Sequence, residues 1–220
     1  MNKRHIKDLL YEQVARIGKA VSSPKRLEIL ELLAQGEKSV DQLAVELSID
    51  IKLASAHLRA LREARMVNFR KDGKFVVYSL TGEDVAGLWV TLRQVAEEHL
   101  VELRVALDQM VAEPSKLLKV DRETLLKRAK RGEVLVIDVR PQPEFEQAHL
   151  PFARSMPVDE IAHRLSELPK DKEIVAYCRG PFCLFSEEAY QLLKRKGYRV
   201  QKLLDGVSEW QAAGMPLVTH

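Results

Sequence analysis

The sequence divides into two parts of different class: an N-terminal half dominated by helices with one short hairpin, and a C-terminal α/β half with a central, mostly parallel sheet. Three observations predict this. The apolar period switches from 3.6 to 2 just after Met66-Val67. Helical spacing of apolar residues then runs through 83–110. Beyond Pro114, strand-like and helix-like segments alternate. The expected domains are 1–112 and 118–220, joined by a linker at 113–117.

Bulk properties agree. At 220 residues the chain accommodates two domains of about 100 residues, each large enough for its own core. A hydrophobic fraction of 46% with 30% charged residues excludes a disordered chain. The N-terminus is charged and amphipathic rather than a signal peptide, and no segment has the length and apolarity of a membrane span. A cytoplasmic protein without membrane association is the expectation. The two cysteines, Cys178 and Cys183, share one short segment instead of tying distant elements together, which suggests reactivity more than scaffolding. Net charge is only +3, but it is unevenly spread. Seven basic residues against two acids fall in 52–74, and two against six in 75–112. A basic stripe beside an acidic helix is the asymmetry of a protein that orients on nucleic acid.

In the first half, Ser22-Ser23-Pro24 opens a helix whose apolar residues include Leu27, Ile29, Leu30, Leu32 and Leu33, and Gly36 ends it. A short helix over 40–47 follows, then the turn Ser48-Ile49-Asp50 and a third helix over 51–64. Two helices joined by a short polar turn form a helix-turn-helix, the second being the groove reader. Asp72-Gly73, flanked by Phe69-Arg70 and 75–80, signals a tight hairpin because such turns need positive φ. A basic hairpin behind a groove-reading helix is a wing, which makes this half a winged helix-turn-helix. Helical spacing over 83–110, roughly seven turns, exceeds what one small core needs and suits dimerisation.

These residues resemble the ArsR family of winged-helix repressors over about residues 10–110, most specifically in Ser55-Ala56-His57-Leu58-Arg59-Ala60-Leu61-Arg62-Glu63-Ala64 with Met66-Val67. The resemblance implies a homodimer, paired through 83–110, on a palindromic double-stranded operator that an effector makes it release. Lys52, Ser55, Ala56, His57 and Arg59 are expected in the major groove or on its phosphates. Arg62, Arg70, Lys71 and Lys74 complete the DNA-binding set. Many family members sense metal through a Cys-x-Cys pair before the groove reader. Here the stretch is Ser39-Val40-Asp41-Gln42-Leu43, and His99 with Glu97 and Glu98 is a thin ligand set, so no metal site is expected.

In the second half, helices are expected over 122–130, 158–168 and 186–196, and strands over 134–137, 173–177 and 199–203. Ligands of such folds sit at the carboxyl ends of strands, and Cys178 directly follows the strand Ile174-Val175-Ala176-Tyr177. A loop wrapped around Cys178 can aim backbone N–H groups and a helix N-terminus at the sulfur; Arg179 adds charge and Gly180 permits the tight turn. Cys183 has two readings: a thiol that attacks a persulfide on Cys178, or a small buried apolar residue at the loop's base. His149, Asp138 and Trp210 read as structural.

Ile137-Asp138-Val139-Arg140, Glu144-Phe145, His149-Leu150-Pro151, and Leu204-Asp205-Gly206-Val207 with Trp210, Gly214 and Pro216 resemble the rhodanese superfamily over about 118–217. The resemblance implies that Cys178 accepts sulfane sulfur from thiosulfate or a polysulfide, with no further cofactor. Pro181 and Phe182 depart from the usual loop. The Cys-x5-Arg phosphatases and arsenate reductases of this fold need arginine at position 184, where this chain has leucine. The leading expectation is a repressor controlled by sulfur loading or oxidation of Cys178. The alternatives are a rhodanese-type sulfurtransferase with an attached DNA-binding domain, and an interaction module without sulfur chemistry.

Overall fold

The computed structural model describes residues 2–110, 117–118 and 121–219. Compact units divide between Trp89 and Val90. The expected linker at 113–117 is described only at Leu117; the rest lies outside the described residues.

The first unit comprises α1 (Lys3–Val21), α2 (Pro24–Leu33), β1 (Lys38–Ser39), α3 (Val40–Glu46), α4 (Ile51–Glu63), β2 (Val67–Asp72), β3 (Phe75–Leu80) and the start of α5 (Glu83–His99). Local chemistry sets the boundaries. Pro24 occupies the first turn of α2, where a missing N–H costs nothing. Ser39 and Gln42 form a reciprocal capping box on α3, and Asp50 Oδ1 accepts from Leu53 N at 2.9 Å to start α4. Ile29, Leu30, Leu43, Leu47, Leu58 and Leu61 converge in a buried core that also takes Val85 of α5.

The hairpin register pairs Asp72 with Phe75, so the two-residue turn is Gly73-Lys74, one position later than the sequence suggests, with Gly73 at φ 58°. The sequence reading also lacks β1, which pairs antiparallel with β3 to make a three-stranded sheet in order β1-β3-β2. Two residues are too few to show a period.

In the second unit, α6 (Val101–Met110) follows α5 after Leu100, so the expected single helix over 83–110 is two. Leu100 N bonds to Ala96 O and Leu100 O accepts from Arg104 N, making that residue the end of one helix and the start of the next. The α/β part contains α7 (Arg122–Lys130), β4 (Val134–Asp138), α8 (Gln142–Gln147), β5 (Ala148–His149), β6 (Arg154–Ser155), β7 (Glu173–Tyr177), α9 (Phe185–Arg195), β8 (Val200–Lys202), α10 (Val207–Ala212) and β9 (Val218–Thr219). Its main sheet is parallel throughout, in order β6-β4-β7-β8.

The helix expected over 158–168 is replaced by successive turns and a 3-10 helix, Leu165–Glu167. Pro157 and Pro169 bracket the segment, and bonds three residues apart close its turns, such as His163 N to Glu160 O. Ile161 and Leu168 still reach the core of Ile137, Met156, Ile174 and Leu193, which explains their helix-like spacing. A second layer, with Leu125, Tyr177, Val207 and Trp210, packs as a separate cluster.

Candidate functional site

The first candidate lies where the parallel strands end. Residues 178–184 connect β7 to α9, as the sequence predicts. Cys178 is buried, 2% exposed, among Ile137, Met156, Ala176 and Ala189, and Cys183 packs against the same cluster. Their sulfurs are joined at 2.03 Å with the Cα atoms 6.3 Å apart. The loop is therefore in its oxidised form, in which neither sulfur is a thiolate nucleophile. Within the ring, Cys183 N donates to Gly180 O at 3.1 Å, and Gly180 adopts φ 151°.

Charge around the loop is paired. Arg179 donates from Nε and Nη2 to the Glu144 carboxylate of α8 at 3.0 and 2.5 Å, and its guanidinium lies 5.4 Å from the Phe185 ring centre. Because Glu144 is almost fully buried, the charge of Arg179 is committed to it and not free for an anionic sulfur. The first turn of α9 carries Glu187 and Glu188, which offset the positive helix end.

The backbone behind the loop leaves no room for a side chain at Gly206. A Cβ there would stand 2.3 Å from Arg179 O and 2.6 Å from Cys178 O, so the start of α10 is pressed against the loop. Below it, Arg140 Nη2 donates to Asp138 at 2.6 Å and to Ala148 O at 2.7 Å. Tyr177 Oη donates to the same aspartate and accepts from Leu150 N at 3.1 Å. Burial first, then the negative Asp138, raises the Tyr177 phenol well above its ordinary value and keeps it a neutral donor. This network ties the ends of β4 and β7 together through Asp138.

The second candidate is the exposed face of the first unit. Lys52, Ala56 and Arg59 are exposed on α4, with Ser55 and His57 half-buried, while Ala54, Leu58 and Leu61 point into the core. Helical spacing thus separates a polar stripe from an anchoring stripe. Burial, then Arg26 and Lys25, lowers the His57 pKa below 6.5. Arg62 lies over the ring of Phe69 on β2, 5.1 Å from its centre, bringing the helix and the hairpin together. Lys71 and Lys74 are exposed at the hairpin tip. Arg70 differs: its guanidinium contacts Glu37 at 2.7 Å and Asp72 at 3.1 Å.

Comparison with known proteins finds matches to both parts of the chain. The bacterial regulatory protein, arsR family, model matches residues 23–68, and the rhodanese-like domain model matches residues 121–213. The HTH-type transcriptional regulator Rv0324 of Mycobacterium tuberculosis is 41% identical over 211 residues, 96% of this chain and 92% of that protein. The chain belongs to the ArsR-family transcriptional regulators that carry a rhodanese-like domain. A sulfurtransferase of Allochromatium vinosum is 37% identical over 102 residues, 46% of this chain and 94% of that protein. A solution structure of a homodimeric winged helix-turn-helix DNA-binding domain from Mycobacterium bovis is 42% identical, covering 46% of this chain and 93% of that one, with a TM-score of 0.43.

As an ArsR-family regulator the chain is a DNA-binding protein, and the first unit holds its helix-turn-helix and wing. Sequence reasoning missed α1 as an element; its Leu10, Tyr11 and Val14 are exposed apolar residues. It also passed over Glu144 as the partner of Arg179, and over Arg93 and Glu209. A buried acid in a helix otherwise polar in pattern gives no sequence signal until its partner is known. Among the described residues no cluster of His, Cys, Asp and Glu is arranged to hold a metal, and no helix is long and apolar enough to cross a membrane.

Proposed function

We propose that this regulator is a cytoplasmic repressor that binds a palindromic operator as a homodimer and releases it when sulfur chemistry changes the Cys178–Cys183 loop. The observation that carries the reading is the pairing of two thiols in one strand-to-helix loop of a chain that is otherwise a DNA-binding protein. In the reduced form, Cys178 thiolate takes one sulfane sulfur from a polysulfide, which leaves one sulfur shorter. Cys183 thiolate then attacks the Cys178 sulfur, forming the disulfide and expelling hydrosulfide. The sulfane sulfur is reduced and the thiol pair is oxidised, two electrons each.

On DNA, Lys52, Ser55, Ala56, His57 and Arg59 of α4 serve the major groove, with Arg62, Arg70, Lys71 and Lys74 on or near the wing serving phosphates. The functional domains run over 1–112 and 118–220, and 83–110 pairs the protomers. Support comes from apolar side chains left in solvent there, Val95, Leu100, Val101 and Val105. Turnover as a sulfurtransferase is the second reading, favoured by the likeness to the A. vinosum protein. In that reading the persulfide on Cys178 passes to an external thiol instead of collapsing onto Cys183, and Arg179 and Gly180 shape the loop.

The test uses the full chain, reduced and then treated with polysulfide, on a duplex selected from a random-sequence pool by the wild-type protein. Operator affinity is expected to fall in the wild type and to stay constant in Cys178→Ser, with a Cys183→Ser protein gaining the mass of one sulfur atom. A Cys178→Ser protein that still responds fully overturns sulfur control; sustained turnover with an added thiol favours the enzyme.

A further inference from the structure

Two buried charges in the second unit belong neither to the sulfur chemistry nor to the DNA-facing surface. Arg93 lies on α5 and Glu209 on α10, and their side chains are each only 3% exposed. Arg93 Nη2 donates to Glu209 Oε1 at 3.0 Å, while Nη1 donates to Glu97 one turn along the same helix. The second oxygen of Glu209 accepts from Gly206 N at 2.7 Å. Glu209 also borders the cysteine loop, since a Cβ built on Gly180 would lie 3.2 Å from each of its carboxylate oxygens. The Arg93 guanidinium stands 5.9 Å from the centre of the Phe182 ring. Gly180 and Phe182 both lie inside the ring closed by the Cys178–Cys183 bond. The ion pair therefore touches that ring at two places.

Its energetics make it responsive. Burial raises the Glu209 pKa, against the opposing pull of Arg93 and the Gly206 amide, so the carboxylate keeps its charge only while those partners stay in place. Arg93 Nε has no acceptor among the described residues, so the guanidinium carries an unmet hydrogen-bonding demand. Such a pair is therefore sensitive to any movement of its surroundings.

We propose that Arg93 is the positioning residue through which the state of the Cys178–Cys183 loop acts on helix α5; this rests on the sulfur-control reading above. With the disulfide closed, Gly180 and Phe182 are held in the shape that meets the pair. A dithiol reductant opens it: two electrons and two protons yield two thiols, and the reductant leaves as its cyclic disulfide. The restraint on Gly180 and Phe182 is then lifted, and the seat of Arg93 changes. The same helix carries Val85 in the core of the first unit, so a shift at Arg93 is felt by an element of the DNA-binding fold. Physical coupling requires such an element with two arrangements that both sites bias.

The experiment measures operator affinity of the full chain, reduced with dithiothreitol or oxidised with diamide, on the selected duplex. The wild type is expected to differ between the two forms by roughly 5-fold or more, the lower range of allosteric couplings. Glu209→Gln keeps an oxygen for Gly206 N–H but removes the counter-charge, and its two forms are expected to agree within about 2-fold. Arg93→Gln is the second variant, in case the first does not fold, with thermal melting as the check. Linkage supplies a readout that a merely structural role leaves unmoved. Operator DNA is expected to shift the dithiothreitol concentration at half-reduction in the wild type and in neither variant. Folded variants that keep the wild-type ratio overturn the role of Arg93 while leaving sulfur control standing. A wild type with no ratio overturns both.

Discussion

Helix α4 and the cysteine loop both carry arginine, yet they treat charge in opposite ways. On α4, Lys52 and Arg59 point to solvent, their anchoring done by Leu58 and Leu61 on the other face. At the loop, Arg179 is locked to buried Glu144, and Arg93 to buried Glu209. Charge on a solvated face is left available; charge inside a fold must be paired, because desolvation exceeds what a lone ion recovers. The difference teaches that an arginine beside a loop cysteine can be committed to holding the fold.

Replacement of Arg179 sharpens this contrast most. Arg179→Ala removes the guanidinium that pairs with the buried Glu144 carboxylate and is expected to cost about 3 kcal/mol of stability, read as a lowered urea midpoint. An unchanged midpoint means that the pair contributes nothing to the fold. Next comes Gly206→Ala, whose methyl group must displace the backbone of Arg179; a loss of about 1–3 kcal/mol is expected, together with altered reactivity of the loop disulfide toward dithiothreitol. Wild-type behaviour in both measurements refutes the close packing.

On the DNA side the same operation has the opposite signature. Arg59→Ala is expected to leave the melting temperature unchanged and weaken operator binding by about 1–3 kcal/mol if it reads a base, or reduce the salt slope by about 1 if it meets a phosphate. Arg70→Ala is expected to weaken binding less than Lys71→Ala, since Glu37 and Asp72 already hold the Arg70 guanidinium. Equal losses by electrophoretic titration refute that ordering.

The smallest effect concerns His57. Its folded pKa is held below 6.5 by burial and then by Arg26 and Lys25, so the unfolded chain takes up its proton first. The stabilisation it provides is complete above about pH 6.5, falls as pH drops toward the folded value, and is gone below it. Urea midpoints are expected to decline less between pH 7.5 and 5.5 in His57→Gln than in the wild type; parallel declines exclude the residue as a contributor.

Much of this was legible without coordinates. Pro24, the Ser39 capping box and Asp50 mark helix starts locally, helical spacing located α4, and continuous apolar runs located β4 and β7. The Cys178 loop followed from its place directly after an apolar strand. The failures share a cause. Over 158–168 the spacing of Ile161 and Leu168 records only that both are buried, which a chain of tight turns achieves as well as a helix. β1 exists because β3 offers it an edge.

Local sequence therefore determined the helix starts at Pro24, Val40 and Ile51 and the residues exposed on α4, because caps and periods act over a few neighbouring positions. Tertiary structure alone decided which charges are spent. Glu144 reaches Arg179 across 35 positions and Glu209 reaches Arg93 across 116. A pairing energy that depends on burial from every side cannot be read from one strand of text; it exists only once the layers close and water is gone.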